Sequence, residues 1–551
     1  MKPALSFAIA ASLMLPAVSY AQPAAGIKDA LSNERIGLLD AGKLKITTGK
    51  CSDCASSPQS LWYFQNDVIA APTSAAMVAG VSPKLDRRAD VKAWAQTPAA
   101  AQLAYPAVTW IAAPQLMDGA TIAADGKKIT SADGTVYDFA LTPKIATNLA
   151  YANDATTAYL HQRQVRVRGA LETRDGKPTF VARTIWPADY AIDTQRLALQ
   201  PLAQRKDLRA YVQDPSTVKE GAVTARLVWE RTPGAGRAAA GKPVLGIMLN
   251  GAQGDDDESL AGHFGVATGY FGKNGEWSDW AMNNIYGLGS FSEKGIVAST
   301  VPMDNYLNDL NSGQQMYRPS YMLVAVLKNA RTAVAFQGGI QRTMNHFYRQ
   351  DFVYGQASGN CAGVSIDVLR DLGWNIPEEG PTSRVKAVGA YVYVAATDRS
   401  LKSGRGIYDS LSEEQTRLLP AVTFEAAGLD LLELVGAMPG QQKARTLSPY
   451  EQQLKDDVEA IMLVKIAQMP SSRVWGSSPV FSFDEYMDRT PSNRADWKIV
   501  PVEPRPFPQA LRDSSAPAPA NPSLVPLPVM GIGLAGVVGV SAFWRRRKKK
   551  A

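Results

Sequence analysis

Cysteine and histidine are both scarce, three of each in 551 residues. So few cysteines exclude a disulfide-stapled scaffold and the repeated cysteine pairs of a zinc ribbon. So few histidines confine imidazole chemistry to His161, His263 and His346. Ala55 follows the C-x-x-C pair Cys51 and Cys54, where haem attachment requires histidine. The glycine-rich "GAGRAAAGK" (Gly234 to Lys242) runs into Pro243 where a P-loop needs Ser or Thr. Excess charge is missing as well. Of 58 basic residues, Lys2 and the six from Arg545 to Lys550 supply seven, which leaves the body with 51 against 51 acidic residues. A neutral body gives no electrostatic case for nucleic acid.

The two ends are apolar. "MKPALSFAIAASLMLPAVSYAQ" has a positive start, an apolar run to Leu15 and a small-x-small site ending at Ala21, the pattern of a secretory signal peptide. "SLVPLPVMGIGLAGVVGVSAFWRRRKKKA" carries 21 apolar residues, Leu524 to Trp544, then six basic ones. That length can span a bilayer, with the basic block on the cytoplasmic side. With the "SSAPAPANPS" linker before it, this end resembles the PEP-CTERM sorting signals read by exosortases in Gram-negative bacteria, although "VPLP" (Val525 to Pro528) stands where V-P-E-P is usual. A plain membrane anchor is the other reading. Both place the body outside the cytoplasm, in the periplasm or at the cell surface, with the membrane, an exosortase-type enzyme and an envelope substrate as partners.

Between the ends we expect an α+β protein. Residues 1–21 are the leader and 22–240 a β-rich domain, perceptible in the hairpin "VRVRGALE", "RDGK", "TFVARTIW". "RTPGAGRAAAGKP" (Arg231 to Pro243) is expected as a linker or exposed loop. Residues 241–380 contain strands at "VLGIMLNG", "HFGVATGYF" and "YMLVAVL", and helices near "ARTAVAFQGGIQRTMNHFYRQ" and after Cys361. Residues 381–500 are expected to be mainly helical, "SPYEQQLKDDVEAIMLVKIAQ" being the clearest amphipathic segment. A Pro/Ala/Ser-rich spacer (501–523) leads to the transmembrane segment and basic tail (524–551). "GDDDES" (Gly254 to Ser259) lacks the spaced ligands of a calcium loop and is expected as a solvated loop. No metal and no cofactor is expected.

Cys361 stands in "SGNCAGVSIDVLRDLGW", at the expected start of an amphipathic helix, where backbone N–H groups favour a thiolate. A nucleophilic thiol needs a base. His161 lies in the β-rich region, and His346 in a polar helical stretch suggesting a solvated surface. His263, in "LAGHFGVATGYF", heads a strand whose hairpin turn "GKNG" allows two registers. Pairs summing to 547 set His263 opposite Asn284, and pairs summing to 549 set it opposite Tyr286 with Asn284 on the diagonal. Asn284 shares the His263 face in both, and Asn283 points the other way. An amide on the second imidazole nitrogen fixes the tautomer; Asp279 and Glu276 are substitutes.

The order His263, Asn284, Cys361 is a permutation of the papain order. With these residues the stretch from about 245 to 375 resembles the circularly permuted papain-like hydrolases, which include lecithin retinol acyltransferase and the Lnb-type N-terminal periplasmic domain. There a G-H motif on a strand precedes an N-C motif opening a helix, as in "AGHFGVATG" and "SGNCAGVSIDVLRDLGW". The resemblance implies a thiol hydrolase or acyltransferase with Cys361 as nucleophile, His263 as base and Asn284 as orienter. No motif fixes the third position. The Cys361 N–H with a side chain such as Asn360 is a candidate oxyanion donor pair. The alternative is a non-catalytic envelope binding protein with a degenerate papain-like domain.

In an oxidising compartment Cys51 and Cys54 are close enough to pair, although a redox-active pair and half a metal site are also open to them. A structural disulfide between them with Cys361 left free is the expected outcome of peptide mass mapping under non-reducing conditions. A bridge from Cys361 to either partner would remove the nucleophile.

Overall fold

The computed structural model describes residues 85–499, with breaks at 112–114, 142–153, 162, 215–222, 286–297, 309–317, 349–354, 356–358, 382, 398, 439–444, 467 and 471–473, together with 26–27, 38–39 and 69–72. The expected signal peptide, the Cys51 and Cys54 pair, the spacer and the C-terminal apolar run lie outside the described residues. Among the described residues no helix is long and apolar enough to cross a membrane.

The architecture is α+β. Strands β1 (Leu38–Leu39), β2 (Ile69–Pro72) and β3 (Val108–Ile111) come first, followed by β4 (Gln115–Ile122), β5 (Lys128–Thr130), β6 (Val136–Leu141), β7 (Gln164–Arg174) and β8 (Lys177–Pro187). The last five close into a barrel in the order β4-β5-β6-β8-β7. Only β6 and β8 run parallel, and a helix at Asp154–His161 joins β6 to β7, the connectivity of an OB-type barrel. The D-G turn read from the sequence closes the β7–β8 hairpin: Arg174 pairs with Lys177, and Asp175 and Gly176 take φ of 50° and 75°. Two positive φ angles match the twist of the strands. The register shifts after Arg168, where a Cβ on Gly169 would lie 2.0 Å from the Val181 carbonyl oxygen, so only glycine fits.

The main sheet adds β9 (Thr224–Glu230), β10 (Pro243–Asn250), β11 (His263–Tyr270), β12 (Ala281–Ile285), β13 (Ala298–Pro302), β14 (Ser320–Leu327) and β15 (Val458–Ile466). Ten strands lie in the order β1-β3-β2-β13-β12-β11-β10-β14-β15-β9. One expectation falls here, and two are narrowed. Arg231 to Pro243 is no linker between domains, since it joins β9 to β10 within this sheet. The 381–500 region is mainly helical, as expected, and also supplies β15, next to the edge strand β9. And the segment read as one amphipathic helix divides: Pro449–Asp457 is helical, started by a Ser448/Glu451 capping box, and Val458–Ile466 is β15. Its run V-E-A-I-M-L-V-K-I suits a strand buried on both faces, and pairing with β14 and β9 overrides the helical pattern.

Helices cover one face of the sheet. Gln337 and Gln341 of the Arg331–Tyr348 helix donate to Thr268 Oγ1 (2.9 Å) and Thr300 Oγ1 (3.0 Å). Asn283 Nδ2 donates to Ser365 Oγ of the Cys361–Asp371 helix at 3.0 Å. Asp367 of that helix, fully buried, receives Arg87 at 2.5 Å and Arg417 at 2.9 Å. His346 is buried, not solvated as the sequence suggested: its Nε2 lies 3.1 Å from Asp90 Oδ2, and Arg342 binds the same carboxylate at 2.6 Å. A carboxylate from the Arg87–Ala95 helix thus provides the polar partner for a histidine that helix packing removes from water.

The barrel docks on the hairpin between β11 and β12. Arg168 donates to Asp304 (2.6 Å) and Asp279 (2.6 Å), and Arg166 to Asp279 (2.9 Å) and Ser278 (2.6 Å). Burial pushes the Asp304 carboxyl up more than Arg168 and Arg166 draw it down. At Asp279 burial also acts upward, but the two guanidiniums outweigh it and hold the carboxyl below its usual range. The Trp277 indole N–H donates to the Tyr190 carbonyl at 2.6 Å, and its ring meets Trp186 edge-on at 4.9 Å.

Arg168 and Asp304 are each 1% exposed. Removing one partner strands the other charge, at about 3–5 kcal/mol. Arg168→Met should therefore lower denaturant stability by that order, and adding Asp304→Asn should restore a substantial part of it. A silent Arg168→Met would show that the network does not hold the barrel.

Candidate functional site

The helix that begins at Cys361 is set by Asn360. Its backbone is extended (φ −82°, ψ −174°), its Oδ1 accepts the Gly363 N–H at 2.8 Å, and its Nδ2 donates to the Leu418 carbonyl at 2.9 Å. Both ends of the amide are committed to capping and packing. One Nδ2 hydrogen is spent on the Leu418 carbonyl, and the oxyanion role read for Asn360 would fall to the other.

Cys361 is 6% exposed. Burial pushes its thiol above the ordinary cysteine value, against the downward pull of the Phe264 and Ala362 N–H groups and of the Arg318 guanidinium. The helix N-terminus expected to lower the thiol is present, but desolvation exceeds it. In the resting structure the group is a thiol.

The hairpin adopts the second of the two registers. Ala267 pairs with Met282 and Thr268 with Ala281, sums of 549, so Asn284 lies diagonal to His263. His263 pairs with Asn250 on its other side, and Asn284 pairs with Ser299. Strand alternation sets Thr268, Asn283 and Thr300, all bonded to helices, on the helix-bearing face, and His263 and Asn284 on the opposite one. The β11–β12 ladder stops at Ala267. Beyond it, the Val266 N–H donates to Asn283 Oδ1 at 2.5 Å, and the Phe264 N–H is directed at the Cys361 sulfur. Gly265 permits the close approach there, since a Cβ would sit 2.9 Å from the Asn283 carbonyl oxygen.

On the His263 face lies a buried polar group. The Tyr306 ring stands 6.0 Å from the imidazole, tilted by 37°. The Tyr306 hydroxyl donates to Asn250 Oδ1, and Asn250 Nδ2 donates to Ser320 Oγ at 2.8 Å. Asn284 is 1% exposed, and neither its Oδ1 nor its Nδ2 has a hydrogen-bond partner. His263 and Asn284 are thus on one face, the thiol reaches the backbone one residue beyond His263, and no hydrogen bond joins Cys361 to His263 or to Asn284. Tyr306, Asn250, Ser320 and Arg318 were not read from the sequence. They come from separate segments and carry no common spacing.

The substitutes for Asn284 are occupied elsewhere. Asp279 serves the barrel arginines, and Glu276 accepts from the backbone and side-chain amides of Asn274 at 2.8 Å each. His161 Nδ1 lies 2.8 Å from the Ile122 carbonyl within the barrel. In the acidic loop, burial raises Asp256 to about 6, and the described residues hold no cluster of metal-binding side chains. A cavity of ≈ 430 Å³ opens at the other end of β11, lined by Tyr105, Tyr270, Phe271, Trp277 and Gln337 among others; none of Cys361, His263 and Asn284 lines it.

No family model matches the chain, and no curated protein or solved structure is detectably similar to it. Chemistry must be argued from these side chains alone. A buried amide with both polar atoms unpartnered costs about 1–3 kcal/mol. Asn284→Leu, similar in volume, should therefore raise the thermal midpoint, with a gain on the order of 1–2 kcal/mol. A loss of stability would mean that the amide has a structural partner.

Proposed function

We propose that the chain is an exported, envelope- or surface-anchored thiol hydrolase or acyltransferase acting on an amide or ester. The observation that carries this reading is the place of the thiol: first residue of a capped helix, against the N–H of the residue that follows His263. The unpartnered Asn284 amide on the His263 face supports the third role. An amide left unsatisfied where Leu would be more stable is the kind of local cost retained for function.

In the proposed cycle a His263 ring nitrogen takes the Cys361 proton as the sulfur attacks the acyl carbon. The imidazolium returns the proton to the departing amine or alcohol, leaving a thioester on Cys361. Water or an acceptor hydroxyl, deprotonated by His263, then releases the acyl group. Asn284 holds the ring orientation. The cycle requires the imidazole to close on the thiol when substrate binds, a tightening common in enzymes whose resting hydrogen bonds are long.

A second reading is a binding module without catalysis. The buried thiol, its raised pKa and the location of His263 on the face opposite the Arg331–Tyr348 and Cys361–Asp371 helices favour it.

The two readings separate on activated esters. Hydrolysis should proceed through an acyl adduct found by mass spectrometry on Cys361. Cys361→Ala and His263→Ala should each reduce turnover to background, and the double variant should lose little more, because the pair acts as one unit. Asn284→Ala should lose less, since it leaves nucleophile and base in place. Unchanged turnover in Cys361→Ala, or an adduct formed equally well in His263→Ala, would leave the binding module standing.

A further inference from the structure

The Arg384–Thr397 helix has two apolar faces. One, with Ala387, Ala390 and Val394, is buried against the Leu401–Ser412 helix, Ile407 completing a small core with Tyr393, Leu411 and Met487 at its edge. The other is open to solvent. Val385 is 82% exposed, Val388 52% and Val392 61%, and Leu401 just beyond the helix is 72% exposed. Positions 385, 388 and 392 fall on one stripe, continued by the exposed Gly389 and Ala396. A side chain at Gly389 would meet nothing within 4 Å. A helix apolar on both sides has the composition of a buried one.

The rim of the stripe is basic and aromatic. Arg384 and Lys386 lie about 100° to either side of Val385, and half-buried Tyr391 and Tyr393 flank the stripe further along. Arg399, Lys402 and Arg405 follow in the turn and the next helix. Lys386 reaches Asp484 at 3.3 Å and Arg405 pairs with Asp409 at 2.8 Å, whereas Arg384, Arg399 and Lys402 have no acidic partner among the described residues.

We infer that this hairpin is a membrane-docking surface that seats its valine stripe among the acyl chains of an anionic phospholipid layer. With the opposite face packed on the protein, the exposed aliphatic stripe and the unpaired cations beside it can meet an apolar layer and its anionic headgroups together. Two copies packed stripe to stripe would set these basic rims against each other, whereas anionic headgroups neutralise them. The inference rests on the anchored reading only for the nearness of a bilayer; the thiol chemistry plays no part in it.

The test uses the whole chain with benzoylphenylalanine placed at Val388, irradiated with vesicles of phosphatidylcholine alone or mixed with phosphatidylglycerol. Position 388 is half exposed, so the probe leaves packing intact; the same probe at Val136, 58% exposed on the barrel, is the control. Lipid adducts should form at 388 and not at 136, and should require phosphatidylglycerol. Arg384→Glu, Arg399→Glu and Lys402→Glu together should reduce them by roughly tenfold or more, and so should high salt. Absence of lipid adducts at 388, equal adducts at 136, indifference to phosphatidylglycerol, or chain-to-chain adducts at 388 would each overturn the inference. Vesicle flotation reports the C-terminal run and the adduct reports the helix, so the anchor and the docking surface fail separately.

Discussion

One buried carboxylate holds three distant parts of the chain together. Asp367, on the helix that begins with Cys361, is enclosed by Arg87 and Arg88 from the first long helix and by Arg417 from the C-terminal third. Burial acts to raise its pKa, and the arginines outweigh burial and hold it low, so the group stays ionised where water is excluded. Arg87 and Arg88 approach from one segment and Arg417 from another, so the ion cluster specifies where those segments must lie. The position of the thiol follows from it, because the helix is fixed at its middle by Asp367 and at its start by the Asn360 cap.

A second ionic cluster works on the other side. Arg166 and Arg168 project from a barrel strand onto Asp279 and Asp304, which flank β12 and the segment after β13 in sequence. The strand carrying Asn284 begins two residues after Asp279. Displacing the barrel would therefore disturb the hairpin that aligns His263 with Asn284. The β-rich domain has a structural hold on the candidate site whatever else it binds.

Much of the local structure was legible. The D-G turn, the strand at His263, the helix at Cys361 and the shared face of His263 and Asn284 rest on short-range rules: turn residues, apolar runs and the two-residue period of a strand. What failed was long-range. Val458–Ile466 has a pattern compatible with helix or strand, and only the empty place between β14 and β9 decides it. His346 looked solvated because its neighbours in sequence are polar, while its partner Asp90 lies more than two hundred residues away. The rise in the Cys361 pKa was invisible for the same reason: a helix start can be read from sequence, but depth of burial depends on everything packed around it. The capping role of Asn360 was equally hidden, because its partners Gly363 and Leu418 are set by the folded helix and its neighbour.

The order of strands across the sheet differs from their order along the chain. β14 lies between β10, its predecessor in the core, and β15, which is made only after the helices of the C-terminal third. Until Ile466 is available, an apolar strand as uniform as "SYMLVAVL" has one unsatisfied edge. Such an edge is a template for pairing with another chain. Completion of the fold is therefore coupled to completion of the polypeptide, and a chain released short of β15 would carry a sticky strand at its centre.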